Sequence, residues 1–313
     1  MRITLVFAFF LLGLTPFGSQ AQQTPQQTQS RIMALEGSWL WADTDSARLA
    51  SAQKAQDLLL LGLDDKSSWD FEFDSLRSST IAIASHSKAP FRVFTWNAVL
   101  QDKRFVHFGV LQYKKGSEMR NFPLFDSAQS LPEDWDDREL SPAEWIGALY
   151  YQVVPLSKTD WMVLGFDGHN INSNRSIVDV IHVETNETGS ELSFGQPLFR
   201  ESLEDPSRAT RMVFEYHKSA RMLLRFEESE QWLVVDNLGS PIEGGNSNPY
   251  LQFPTGDYSA YKEYKGGSWV RFDLETLRFV KDKEVENDPE NLELPQPEVE
   301  EDSKLSEPPS DQD

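Results

Sequence analysis

The sequence predicts a mainly β protein, an antiparallel sheet, sandwich or barrel-like meander with one N-terminal helix. Three observations predict it. After residue 68, apolar and polar residues alternate in short runs. The connections between those runs are too short for the crossover helices of an α/β fold. Ahead of them, Asp43-Thr44-Asp45-Ser46 offers capping oxygens to a stretch of helix formers, Ala47 to Leu61, with Gly62 as a stop.

The N-terminus reads as a secretory signal peptide over residues 1–21. Arg2 supplies the positive charge, Ile3 to Leu14 is uncharged and apolar, and Ser19-Gln20-Ala21 offers a cleavage site. As a helix, twelve residues rise about 18 Å, short of a bilayer core of about 30 Å. The mature chain is therefore not expected to be an integral membrane protein. Residues 22–30 (QQTPQQTQS) are Gln-rich, aperiodic and interrupted by Pro25, and read as a flexible leader. A single β-rich globular domain is expected over 31–283. Its helix aligns Leu49, Ala52, Gln56, Leu59 and Leu63 near one face.

The strands follow in order. Phe91 to Leu100 and Arg104 to Tyr113 have hairpin spacing around Gln-Asp-Lys. Ile146 to Leu156 and Trp161 to Phe166 flank a polar turn, and Ile177 to Val183 follows a Gly- and Asn-rich loop. Arg211 to Glu227 reads as a further hairpin, pairing Phe214 with Leu224 and Arg211 with Glu227. Gln231 to Asp236 would add its third strand, and Trp269 to Asp273 and Leu277 to Val280 close the ordered region. Ser141-Pro142-Ala143-Glu144 has the form of a capping box and predicts one helical turn ahead of Trp145. The preceding acids of residues 132–139 read as an exposed loop.

Charge narrows the function. The 313 residues carry 29 Lys and Arg against 50 Asp and Glu, a net charge of −21. Nucleic-acid binding needs clustered cations, so this class is not expected. Twelve acids and the single base Lys304 lie in residues 284–313, together with five prolines and no aromatic residue. That composition reads as a disordered acidic tail, either solvating or docking on a basic partner or divalent cations. The chain has no Cys, so disulfides, thiolate ligands and catalytic thiols are excluded.

Candidate chemistry centres on Asp167, Asn170, Asn172 and Asn174 in the loop 164–175. Their oxygens are a candidate Ca²⁺ site, with Asp167, Asn170 and Asn172 as ligands, although the spacing is not that of an EF-hand. The same residues also suit a simple turn. Otherwise no cofactor is expected. Trp145 and Tyr150, with Asp167 and Asn170, are candidate ligand contacts, since aromatic rings stack on sugars. At strand spacing such rings also suit a core. His107 and His182 lie in apolar strands and read as hydrogen-bonded structural residues, and no two of the five histidines have metal-ligand spacing. No nucleophile elbow, phosphate loop or dinucleotide fingerprint is present.

Several blocks resemble a family of uncharacterised secreted β-rich proteins of Bacteroidetes bacteria. They are Trp69 to Leu76, Phe91 to Asn97, Trp145 to Tyr151, Leu164 to Asn170, Phe194 to Phe199 and Phe214 to Tyr216. Their order matches, and they cover most of residues 60–240. Phe166 stands where the family more often has tryptophan, and the acidic tail is outside its pattern. The resemblance implies export and a β-rich domain, and implies no catalytic residues.

The expected function is an exported, non-enzymatic β-domain of the periplasm or cell surface. It would bind an envelope protein or glycan, or serve a structural role. The alternative is a secreted carbohydrate-active hydrolase using an Asp/Glu pair.

Overall fold

The computed structural model describes residues 23–131, 134–186, 189–241 and 248–280. The expected signal peptide (1–21) and the expected disordered tail (284–313) lie outside the described residues. The fold is mainly β, with three open sheets and one N-terminal helical region. Among the described residues no sheet closes into a barrel, so the sandwich alternative holds and the barrel-like one does not.

The helical region holds four helices rather than the one expected: α1 (Pro25–Met33), α2 (Glu36–Trp41), α3 (Asp45–Leu63) and α4 (Asp74–Arg77). Helix α1 replaces the expected flexible leader. Pro25 sits in its first turn, where a missing N–H costs nothing. Thr24 and Gln27 form a reciprocal capping box, with Gln27 N–H donating to Thr24 Oγ1 at 3.2 Å and Thr24 N–H to Gln27 Oε1 at 3.1 Å. Thr28, Gln29 and Ile32 are buried, so tertiary packing settles what composition left open. Helix α3 buries Ala52, Gln56, Leu59 and Leu63 on the expected face, and runs past Gly62 to Leu63.

Sheet I is a meander of β1 (Ala82–Ser85), β2 (Phe91–Val99), β3 (Phe105–Lys115) and β4 (Glu118–Phe125). The β2–β3 hairpin runs from Phe91↔Tyr113 to Val99↔Phe105, as its spacing predicted. Sheet II contains β5 (Leu149–Pro155), β6 (Asp160–Asp167), β7 (Ser173–Asn186) and β8 (Gly189–Phe194). The chain then passes β9 (Phe199–Arg200), which belongs to the third sheet, and returns as β10 (Met212–His217). β10 pairs with the first half of β7 and β8 with its second half. Sheet III orders β11 (Leu224–Glu227), β12 (Trp232–Gly239), β13 (Phe253–Tyr264), β14 (Ser268–Asp273) and β15 (Arg278–Phe279), with β9 parallel to β14.

The expected hairpin over 211–227 does not form. β10 pairs with β7 and β11 with β12, so the two strands lie in different sheets. Alternation had identified their inward faces correctly but not their partners. Met212, Leu224 and Phe226 meet across the core between sheets II and III. Arg211 accordingly pairs with Asp179 and not with Glu227.

The elements stack in layers: helices, sheet I, sheet II, sheet III. Successive side chains of a strand point to opposite faces. Phe94, Trp96 and Val110 therefore pack on Trp39, Leu59 and Phe73 of the helical region and its loops. Phe91, Val93, Leu111 and Tyr113 face the other way, onto Tyr150, Val153, Trp161 and Val163 of sheet II. The reverse face of sheet II puts Met162, Leu164, Val178 and Val180 on Leu233, Val235 and Tyr261. Covering on both faces explains why β2 and β6 are buried almost throughout. Polar ties cross the layers: Gln56 Nε2 donates to the carbonyls of Gly109 (2.8 Å) and Leu124 (3.0 Å), and Tyr150 N–H donates to Thr95 Oγ1 (3.1 Å).

Candidate functional site

A cavity of about 660 Å³ opens where one end of sheet I meets one end of sheet II. Four segments build it. β3 supplies Phe105 and His107, the turn after β4 supplies Asp126 to Ser130, the end of β6 and its loop supply Asp167, His169 and Asn170, and β7 supplies Arg175 and Ile177. Trp135, Ile146 and Val213 add an apolar wall.

His107 is the centre. Its side chain is 2% exposed and lies between two carboxylates. Nδ1 is 3.2 Å from Asp126 Oδ2, which also accepts the backbone N–H of His107 at 2.8 Å. An ionised carboxylate only accepts, so Nδ1 carries the proton in the neutral ring. Nε2 is then an acceptor, and it faces Asp167 Oδ1 at 3.6 Å. It is buried and has no hydrogen-bond partner among the described residues. Two buried acceptors thus face each other at the cavity wall, an arrangement that a donor from outside the chain would relieve.

Asp167 leads outward to the rim. Its Oδ1 accepts the N–H of His169 at 2.6 Å, and His169 holds a left-handed φ of 47° to make that turn. His169 Nε2 lies 3.6 Å from Glu215 Oε1, while Glu215 also receives Arg175 Nε at 2.9 Å and Ser173 Oγ at 2.5 Å. Lys218 Nζ donates to the Gly168 carbonyl at 2.6 Å and sits over the Phe105 ring. The lining therefore mixes polar and charged groups with the apolar surfaces of Phe105, Trp135 and Ile146.

Burial pushes the Asp167 carboxyl up, but hydrogen bonds from the His169 side chain and backbone hold it below the usual aspartate range. A carboxyl lowered by folding stabilises the protein above its unfolded value, near 3.9. That contribution is lost as pH falls through the folded value. Urea midpoints measured between about pH 6 and pH 2 are expected to fall more steeply in the parent chain than in Asp167→Asn. Equal slopes would show that the network does not hold Asp167 in its ionised form.

The sequence-predicted residues divide. Asp167 and Asn170 line the cavity. Trp145 and Tyr150 do not, and are corrected to core residues. Both are wholly buried, and Trp145 Nε1 donates to Tyr150 Oη at 3.0 Å, which leaves neither ring a face for a ligand. Trp145 instead packs edge-on against His107 at 6.3 Å and backs the site. Asn170 Oδ1 accepts the N–H groups of Asn172 (2.7 Å) and Ser173 (3.0 Å), so it closes an Asx turn, the simpler of the readings for this loop. Asn172 is exposed in that turn. Among the described residues no group of three or more His, Asp and Glu side chains is placed to hold a metal ion. The Ser141–Glu144 capping box forms as expected, Ser141 N–H donating to Glu144 at 3.2 Å. His182 bonds Asp160 at 2.6 Å in the structural role read for it.

Asp126, Arg175 and Trp135 went unnoticed as site residues. Asp126 directly follows β4, whose burial does not alternate, so no local pattern marks it. Comparison with protein-family models, with curated proteins and with solved structures finds no match to this chain.

Proposed function

We propose that the protein is an exported β-domain of the periplasm or cell surface that binds a glycan-class ligand in this cavity without transforming it. The buried, unpartnered His107 Nε2 beside Asp167 carries the reading. A sugar hydroxyl supplies the donor that His107 Nε2 lacks, while Asp167 Oδ1 already accepts the His169 N–H. Trp135 in the same lining offers a surface for the C–H face of a sugar ring. The volume falls in the range of small-ligand sites.

The hydrolase alternative draws on Asp126 and Asp167 in the same cavity. It needs a carboxyl kept protonated as general acid. Asp167 is shifted the other way, and both oxygens of Asp126 are engaged, Oδ1 by Ala128 N–H at 3.1 Å and Oδ2 by His107. Binding without turnover is the better fit.

Isothermal titration with envelope glycan fragments tests both readings. Saturable binding without product is expected. Asp167→Asn should weaken it about tenfold or more, the value of a hydrogen bond to a charged group, and His107→Phe several-fold, the value of a neutral one. Cleavage of the fragments would establish the hydrolase, and silence toward every fragment would overturn the proposal.

A further inference from the structure

A second concavity, of about 730 Å³, lies at the other end of the sheet I–sheet II sandwich. β3 runs from His107 at the cavity to Lys115 here, and β6 runs from Asp167 back to Trp161. At about 3.4 Å per residue the two sites are separated by roughly 20–27 Å. Lys88, Lys115 and Lys158 line this groove over a floor that includes Tyr113 and Trp161. All three lysines are exposed, and none has a carboxylate within 4.0 Å among the described residues. Glu184 is the single acid in the lining.

Residues 31–283 carry a net charge of −11, so three lysines in one groove run against the trend of the domain. The chain itself supplies a complementary polyanion. Residues 284–313 hold twelve acids against Lys304. The last described residue, Val280, follows β15, and the 33 residues beyond it can span up to about 110 Å. Each exposed lysine–carboxylate contact is weak in water. A tether raises the effective concentration of the acids to the millimolar range, which lets several weak contacts act together.

We propose that the acidic segment 284–313 docks within its own chain on the groove formed by Lys88, Lys115 and Lys158, leaving the His107 cavity open. The proposal does not depend on what the cavity binds.

Zero-length carbodiimide coupling of lysines to carboxylates in the full chain, followed by peptide mass spectrometry, tests it. Cross-links from the three groove lysines to acids of 284–313 are expected to exceed those from exposed Lys54, Lys66 and Lys103 at least several-fold. They should collapse at about 1 M salt, where the screening length is near 3 Å. The triple variant Lys88→Gln, Lys115→Gln, Lys158→Gln should keep its melting temperature and show no shift of those cross-links onto other lysines. An even spread over all exposed lysines would overturn the proposal and leave a purely solvating segment. Cross-links joining light to heavy chains in an isotope-mixed sample would overturn it in favour of docking on a second copy.

Discussion

Replacing Arg211 by methionine is expected to lower the melting temperature by roughly 6–20 °C. Removing one partner of a buried ion pair costs about 3–5 kcal/mol, and a domain of this size shifts about 2–4 °C per kcal/mol. The side chains of Arg211 and Asp179 are both fully buried, with Nε 3.3 Å from Oδ1. Burial pushes the Asp179 carboxyl up, and the Arg211 charge pulls against it. Without the arginine that penalty stands alone. Arg211 also donates to the carbonyls of Trp135, of Arg138 at 2.9 Å and of Phe194 at 3.0 Å. Its loss therefore frees the segment that carries Trp135, the apolar wall of the cavity, and ligand affinity should fall with stability. Adding Asp179→Leu to Arg211→Met should recover part of the loss by removing the stranded charge. The recovery stays partial because the three carbonyls still lack the Arg211 donor, although Phe194 keeps the N–H of Leu140 at 2.8 Å. Scanning calorimetry of the single and double variants checks this, and a single variant within about 2 °C of the parent would show that the pair is not a structural hub.

The same residue marks the boundary of what local sequence can show. The β2–β3 and β5–β6 hairpins were legible because their partners are neighbours in the chain and the turn fixes the register. The face of each strand was legible too, since alternation reports burial. The partner of a strand was not. β10 and β11 alternate in phase, and that pattern fits an in-plane pair as well as two faces packed across a core. The helix over residues 25–33 was hidden because glutamines bury poorly in general, whereas Thr28 and Gln29 are buried here. Gln29 Oε1 accepts the distant N–H of Ser75 at 3.1 Å. The site was half legible. Asp167 and Asn170 share a loop whose composition announces a turn near chemistry, but His107 and Asp126 reach it from another sheet. Trp145 and Tyr150 looked like a stacking platform by type and proved to be the packing behind it.

Gly147→Ala is the sharpest probe of how that packing holds the site. Gly147 has a left-handed φ of 74°, and a Cβ there would lie 2.8 Å from Asp126 Cγ, from Asp126 Oδ2 and from His107 Nδ1. The left-handed conformation costs an alanine about 1–2 kcal/mol. Forcing an extra methyl into a packed site costs about 1–3 kcal/mol more. A total of about 2–5 kcal/mol is expected, together with displacement of the His107–Asp126 hydrogen bond. Gly116→Ala is the matched control. Gly116 also has a positive φ, of 62°, but a Cβ there meets nothing within 4 Å. The conformational cost is thus common to both variants, and the difference between them isolates the collision at the site. Denaturant midpoints should place Gly147→Ala below Gly116→Ala by about 1–3 kcal/mol. The imidazole nitrogen resonances of His107 should move in the first variant and stay in place in the second. Equal midpoints with unmoved resonances would mean that the turn between Trp145 and β5 yields freely. His107 would then be held by Asp126 and the edge-on Trp145 ring, and the buried acceptor that defines the cavity would owe its position to those two contacts.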